Sequence, residues 1–258
     1  MKRTLTLIFT LFVSIAAMAQ AEFYNFAVGI QGGMTTAFTG FNYKNGVYPE
    51  ASKSLTINKS KAYGATVDYY FTPFINAGLE YNIVQLKDGP DKHKRQFVSD
   101  FSTIEIRGSV ALGQLVDYKY NDLLYVMRGL NFGLGYGVLS GSNDVEDFKP
   151  ELVVVENGET VNKNPFKSRQ HKGDIGKKDF KNVSMFPITI GYNYIIYNQY
   201  DEQQILLGLN WKTVFTNSDD IDGFNDDPTI FANKAKDMYS VFGISVKYMF
   251  GTRSLFYK

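Results

Sequence analysis

The chain has 258 residues, enough for one all-β domain or for two domains of ordinary size. It contains no cysteine, which excludes a disulfide framework and a thiolate metal site, and its formal net charge of +1 gives no electrostatic basis for binding nucleic acid. Tyr, Phe and Gly are frequent, at 18, 21 and 23 residues, against a single Trp.

The N-terminus predicts an export signal. A basic pair follows the first methionine, residues 5–16 are mainly apolar, and residues 17–19 have the sequence Ala-Met-Ala, which matches the small-x-small cleavage rule. The apolar core is shorter than the ~20 residues that a membrane-spanning helix needs. We therefore predict a signal peptide at residues 1–19 and one exported domain at residues 20–258.

The exported part consists of segments in which apolar and small or polar residues alternate. In the clearest one, Ile75, Ala77 and Leu79 alternate with Asn76, Gly78 and Glu80. This period of two predicts β-strands whose two faces have different surroundings. The eight predicted strands are residues 23–36, 62–71, 74–84, 101–116, 125–139, 182–196, 203–216 and 237–250.

The connections between these strands alternate between long and short. The long ones are polar, and tyrosines and phenylalanines cluster beside the short ones, as at Tyr69, Phe71 and Phe74. Transmembrane barrels combine short periplasmic turns, long extracellular loops and aromatic girdles. The pattern predicts an all-β fold: a closed antiparallel up-and-down transmembrane β-barrel of about eight strands, with both termini periplasmic.

Three Gly-aromatic strand segments, Gly78-Leu79-Glu80-Tyr81, Gly133-Leu134-Gly135-Tyr136 and Gly191-Tyr192-Asn193-Tyr194, precede a last strand that contains Tyr248-Met249-Phe250. With the signal sequence, they resemble the small outer-membrane β-barrel proteins of the Bacteroidota, in the broad OmpA/OmpX-like class. The resemblance implies a Gram-negative outer membrane and an assembly signal at Tyr248 and Phe250 for the barrel-assembly machinery. Eight more residues follow Phe250 here.

The polar strand face indicates which side meets lipid. In a soluble barrel of lipocalin type, that face would be exposed to water and would carry many charged residues. Here it is mainly Gly, Ser, Thr and Asn. An eight-stranded barrel has room for side chains only, so its few charges predict a plug of salt bridges, although some of them could instead lie exposed near the rims. These six residues are Asp68, Glu80, Glu105, Arg107, Lys212 and Lys247. Arg128 falls on the apolar face near a short turn, from which it could reach the interface.

Little in the sequence indicates catalysis or metal binding. His93 and His171 lie in predicted outer loops, with no spacing typical of a nucleophile held beside its base. The acidic stretch 217–227 partly matches a calcium loop, but Ser218 occupies its first position and Thr229 its twelfth, which favours a solvated loop over a calcium site. We expect no cofactor and no metal.

The sequence thus predicts a non-enzymatic integral outer-membrane protein with a structural or adhesive role. Its partners would be the lipid bilayer and, through the long loops, a ligand or another surface protein. Two alternatives remain open: a porin-like channel for small solutes, and an outer-membrane enzyme that modifies lipids.

Overall fold

The computed structural model describes residues 21–38, 60–88, 95–118, 121–147, 153–156, 159–162, 176–200, 202–218, 221–222 and 236–256. The predicted signal peptide, both histidines and most of the acidic stretch 217–227 lie outside these residues.

Within the described residues, ten strands and two short helices follow one another. They are β1 (Ala21–Phe38), β2 (Ser60–Thr72), β3 (Ile75–Asp88), β4 (Arg95–Ala111), α1 (Leu112–Leu115), α2 (Asp122–Met127), β5 (Leu130–Asp147), β6 (Val153–Glu156), β7 (Glu159–Asn162), β8 (Gly176–Tyr197), β9 (Gln203–Thr216) and β10 (Met238–Phe256).

Eight of these strands form a closed barrel in the order β1-β10-β9-β8-β5-β4-β3-β2, with antiparallel pairing between neighbours. Strands β6 and β7 form a separate hairpin in the connection between β5 and β8. The prediction of an eight-stranded antiparallel barrel is confirmed. Because β1 pairs with β10, every barrel strand has a paired neighbour on each side. This closure removes the usual hazard of exposed sheet edges.

Several predicted boundaries are wrong. Strands β5 and β8 continue into the polar stretch 140–181, where Asn143 pairs with Lys178. Helix α1 occupies the end of the predicted strand 101–116, and α2 occupies the start of the predicted strand 125–139. Both predicted strands are therefore too long. Asn121 starts α2 by accepting hydrogen bonds from the backbone N–H groups of Leu123 and Leu124, which a strand would not leave free.

Two of the four bulges in the described barrel strands contain a residue with positive φ. Between Tyr24 and Phe26, β10 has one more residue than β1, and Gly251 there adopts φ +100°, a conformation that glycine tolerates. In β8, Asn182 adopts φ 56° and donates its backbone N–H to the Ser140 hydroxyl at 3.0 Å. The β8 bulge inverts the alternation of faces, so Phe180 and Met185 both point inward.

The outward face of the barrel is an apolar belt. Ile30, Ile106 and Ile244 are each exposed over at least 65% of their surface, and neighbouring outward positions are Leu, Val, Phe, Tyr and Trp. Glycines and polar residues dominate the inward face only at mid-height. Toward each end of the barrel the inward side chains become apolar, which the sequence patterns did not predict.

Candidate functional site in the barrel lumen

The six predicted charged residues all point into the lumen, and we call them the charged layer. Asp68 comes from β2, Glu80 from β3, Glu105 and Arg107 from β4, Lys212 from β9 and Lys247 from β10. Each sits on the face opposite the apolar belt, because the side chains of a strand alternate between its two faces. Little of any of their side chains is exposed, with 15% at Arg107 the largest fraction.

The charged layer forms one chain of contacts with alternating sign. Lys247 Nζ lies 2.7 Å from Asp68 Oδ2, and Arg107 Nη2 lies 2.7 Å from Asp68 Oδ1. Arg107 Nε then approaches Glu80 Oε2 at 3.2 Å. Lys212 Nζ contacts Glu80 and lies 2.6 Å from Glu105 Oε1. Three carboxylates thus face three cations, which compensates the cost of removing each charge from water.

Neutral side chains complete this network. Gln31 donates to Glu80 and, at 2.5 Å, to Asn82 Oδ1. Asn82 Nδ2 donates to Glu80 Oε1 at 2.8 Å and to Thr103 Oγ1 at 3.2 Å. Period-two alternation places Gln31 and Asn82 on the inward face, but nothing in the sequence indicates that they share a carboxylate.

Glycines leave the space that the polar side chains occupy. A Cβ atom at Gly78 would lie 2.2 Å from Asp68 Oδ1, and one at Gly64 would lie 2.2 Å from Asn82 Oδ1. Asp68 and Asn82 therefore lie flat over the glycine of the neighbouring strand. This arrangement explains the glycine-rich inward face at mid-height.

The lumen toward the long connections is filled by buried apolar side chains, which we call the loop-end cluster. Ile221, from the connection between β9 and β10, belongs to it and is 1% exposed. The Asp237 carboxylate accepts hydrogen bonds from the backbone N–H groups of Ile221 at 2.9 Å and Asp222 at 3.2 Å. The remaining members are Ala37, Ala62, Val84, Leu86, Phe97, Phe101, Leu139, Val145, Phe180, Met185, Val214 and Tyr239.

The opposite end of the lumen is filled by the turn-end cluster, formed by Phe23, Ala27, Tyr70, Leu206 and Met249. Beyond the bulge at Gly251, β10 still pairs with β1, while Phe23 of β1 also pairs with Gln203 of β9. The Phe256 ring reaches the turn between β2 and β3, with its centroid 6.0 Å from that of Phe74. The end of β10 therefore crosses this mouth of the barrel.

Glu202 links three parts of the chain at this end of the barrel. Its carboxylate accepts hydrogen bonds from Asn198 Nδ2 at 2.6 Å and from the Tyr24 hydroxyl at 2.7 Å, and it lies 2.7 Å from Arg253 Nη1. The hydrogen bonds from Asn198 and then Tyr24 lower the pKa of Glu202 below its usual value, with a further contribution from the Arg253 charge. The contacts join the β8–β9 turn to β1 and β10.

Tyr248 and Phe250, the predicted assembly signal, lie on the outward face, 50% and 40% exposed. The Phe250 ring stacks on Phe26 at 6.2 Å, and Phe26 meets Tyr69 edge to face at 5.1 Å. They form part of an aromatic row on the apolar belt. Strand β10 continues for six residues beyond Phe250, and its register with β1 runs on to the pair Ala21–Phe256.

Arg128 does not lie on a strand face as predicted, because β5 begins only at Leu130. It follows α2, is 9% exposed, and its guanidinium carbon lies 3.5 Å from the centroid of the Tyr125 ring. The misplacement follows from the missed helix: a strand pattern was extended through residues that form a capped helical turn.

A pocket adjoins the charged layer and is lined by residues of β1, β2, β3, β4, β9 and β10. Gln31, Glu80, Glu105 and Lys212 line its polar part, and Ala62, Val84 and Tyr239 of the loop-end cluster line part of the rest. The carboxylates and the ammonium group there already pair with one another. No group of three or more potential metal ligands, and no helix able to cross a membrane, occurs in the described segments.

Comparison with known proteins gives only distant structural likenesses. No family model matches the chain, and no curated protein matches it. Neisserial surface protein A is 9% identical, with 87% of this chain and 97% of that one covered and a TM-score of 0.43. CarO of Acinetobacter baumannii is 12% identical, with 86% and 97% covered and a TM-score of 0.43. Ail, the attachment invasion locus protein of Yersinia pestis, is 7% identical, with 90% and 100% covered and a TM-score of 0.39.

Proposed function

We propose that this protein is a non-enzymatic, non-conducting barrel of the outer membrane that anchors its long connections at the cell surface. Its role is structural or adhesive, and the long connections are the segments that meet a ligand or a surface partner. The short turns, the start of β1 and the end of β10 face the periplasm.

The apolar belt supports the membrane location. Large apolar side chains cover the outward face of all eight barrel strands, including Val28, Leu79, Phe132 and Trp211, each more than 40% exposed. Soluble monomers rarely expose apolar patches beyond a few hundred Å². A closed barrel also satisfies its backbone hydrogen bonds internally, which hydrocarbon surroundings require.

The orientation rests on the export signal and on the lengths of the connections. The end of β10 lies beside the β2–β3 turn, as the contact between Phe256 and Phe74 shows. The strand ends nearest both termini therefore share one end of the barrel with the short turns, and the long connections leave from the other. In membrane barrels the short turns are periplasmic, so the long connections would be extracellular.

The filled lumen is the observation that carries the proposal of a non-conducting barrel. The loop-end cluster fills one end, the turn-end cluster fills the other, and the charged layer between them pairs its ions internally. Ions or solutes crossing the barrel would have to displace buried apolar side chains and break buried ion pairs. Both steps are costly.

A small solute channel is the competing function, favoured by the charges at mid-height and by the adjoining pocket. Current through planar bilayers that contain the purified protein decides between the two. We expect no current from wild type, from Glu105→Ala or from Arg107→Ala. A steady wild-type conductance that changes in Arg107→Ala would replace the proposal with the channel.

Membrane insertion and the absence of catalysis have separate tests. The protein should fractionate with outer membranes and migrate differently on gels before and after boiling, because closed barrels resist unfolding in detergent. Recovery of folded protein from the periplasm without detergent would contradict the location. A lipid modification lost in a deletion strain, and lost again in His93→Ala or His171→Ala, would establish an enzyme instead.

A further inference from the structure

The connection between β4 and β5 lies against the side of the barrel that carries the apolar belt. Tyr192 shares the outward row of β8 with Ile190 and Tyr194, and its hydroxyl donates to the carbonyl oxygen of Val126 in α2 at 2.8 Å. The backbone N–H of Asn193 donates to the carbonyl oxygen of Gly129 at 2.8 Å. Helix α2 is therefore fixed beside the belt rather than below the mouth.

This connection exposes three large apolar side chains together with the acidic Asp117 and Asp122. Leu115, Leu123 and Val126 are 68%, 66% and 59% exposed, and α2 has no buried residue. An apolar surface of this kind, continuous with a lipid-facing belt and next to a turn, is typical of segments that lie in the interfacial region of a bilayer.

Arg128 places a positive charge at the same level. Its Nη1 donates to the Tyr125 carbonyl oxygen at 2.8 Å, its Nη2 to the Tyr197 hydroxyl at 3.3 Å, and its guanidinium stacks on the Tyr125 ring. Within the described part of the chain, Arg128 has no carboxylate within 4.0 Å, whereas Arg107 contacts two and Arg253 contacts one. Arg128 is 9% exposed, and its guanidinium group has five N–H donors, more than these two contacts use.

We propose that Arg128 and the Tyr197 hydroxyl bind the phosphate of a phospholipid in the periplasmic leaflet, with Leu123 and Val126 against its acyl chains. The inference rests on the proposed membrane location. Phosphate is the anion that a bilayer supplies at headgroup depth, and a guanidinium matches its geometry and charge. The stack on Tyr125 holds the guanidinium in place before the lipid arrives.

Native mass spectrometry of the purified barrel in detergent micelles tests the site. Palmitoyl-oleoyl-phosphatidylglycerol is added to one sample, and palmitoyl-oleoyl-glycerol, which has the same chains and no phosphate, to another. We expect wild type to retain the phosphatidylglycerol in preference, and Arg128→Gln to retain it about 3- to 10-fold less. Retention of the phosphate-free lipid should be the same in both proteins.

Arg253→Gln is the matched control, since Arg253 is an arginine at the same end of the barrel that already pairs with Glu202. This variant should retain phosphatidylglycerol like wild type, and Arg128→Lys should retain most of it. Equal retention by wild type and Arg128→Gln would overturn the site. If Arg128→Gln does not show the gel mobility of a folded barrel, the two lipids are compared in wild type alone. Equal retention of the two lipids by wild type also overturns the site. Wild-type gel mobility reports separately on the membrane barrel.

Discussion

Lys212 contacts two carboxylates of the charged layer, because its ammonium group lies between Glu80 and Glu105. Glu80 also contacts Arg107, whereas the ion pair of Glu105 within the layer is with Lys212 alone. Both carboxylates are 2% exposed, so neither can regain its hydration if the lysine is removed. Removing Lys212 would leave Glu105 buried without an ion pair in the layer. We therefore expect the stability of the layer to depend strongly on this one cation.

Replacing Lys212 by Met should lower the free energy of unfolding by about 3–5 kcal/mol, the usual cost of breaking a buried ion pair from one side. Urea unfolding of the protein in lipid vesicles measures this loss. Trp211, the single tryptophan, lies on the outward face and provides the fluorescence signal.

The double variant Lys212→Met/Glu105→Gln is the control for this experiment. It removes the carboxylate left without its partner, while Glu80 keeps Arg107, so part of the lost stability should return. A single variant as stable as wild type, or a double variant less stable than the single one, would show that the ion pair contributes little.

Glu202 makes the barrel sensitive to acid at its turn end. Hydrogen bonds from Asn198 and Tyr24 lower its pKa in the folded state, so the folded protein binds fewer protons there than the unfolded chain. Its contribution to stability is complete above the ordinary carboxyl pKa of about 4.3 and is lost as the pH falls through the lower folded value. Unfolding of wild type and Glu202→Gln should differ at pH 7 and converge toward pH 3. A constant difference over this range would contradict the assignment.

At the scale of the element, the cost of introducing a charge depends on how deep the element lies in the bilayer. Leu134 of β5 points outward at mid-strand and is 54% exposed, while Leu115 in α1 is 68% exposed. Leu134→Arg should lower stability in vesicles by about 2–4 kcal/mol and Leu115→Arg by about 0–1 kcal/mol. Urea titrations of both variants test the depth assigned to each element. Equal losses would mean that α1 is as deep as the belt.

The sequence predicts strands well only where the two faces have different surroundings. In β3, Leu79 and Tyr81 meet the apolar belt while Glu80 and Asn82 meet the lumen, so the period of two is clear. Past Leu139, β5 has Ser142 and Asp144 on one face and Asn143 on the other. With polar residues on both faces the alternation fades, and the strand cannot be told from a loop.

The charged layer could be predicted as a set but not as a network. Alternation assigns each of the six residues to the inward face one at a time. The contacts of Lys212 with Glu80 and Glu105 join positions 132 and 107 residues apart. Strand order and tilt decide which of these side chains meet across the lumen, and local periodicity contains neither. The apolar clusters at the two ends were missed because inward alternation there resembles that of the belt.

For the molecule as a whole, the last residues of β10 close one mouth of the barrel. Removing residues 251–258 should leave an assembled barrel that ends in Phe250, with the turn-end cluster open to water. The chain has no native cysteine, so Ala27→Cys, buried at 0% exposure, can report on this opening. We expect a water-soluble maleimide to label it only in the truncated protein.

Ala62→Cys, in the loop-end cluster at the other end, is the matched control and should stay unlabelled in both proteins. Labelling of Ala27→Cys in the full-length barrel would show that the tail does not close the mouth. Labelling at both positions after truncation would instead indicate a general loosening of the wall.

The seam between β1 and β10 has a consequence for biogenesis. Ala21 pairs with Phe256 and Phe38 with Met238, so the earliest and latest segments of the barrel are each other's partners. The ring can close only after the entire polypeptide has been delivered. Until then the growing intermediate is a curved sheet with two bare edges, each a template for pairing with another chain. We therefore expect this intermediate to need a factor that shields those edges until the barrel closes.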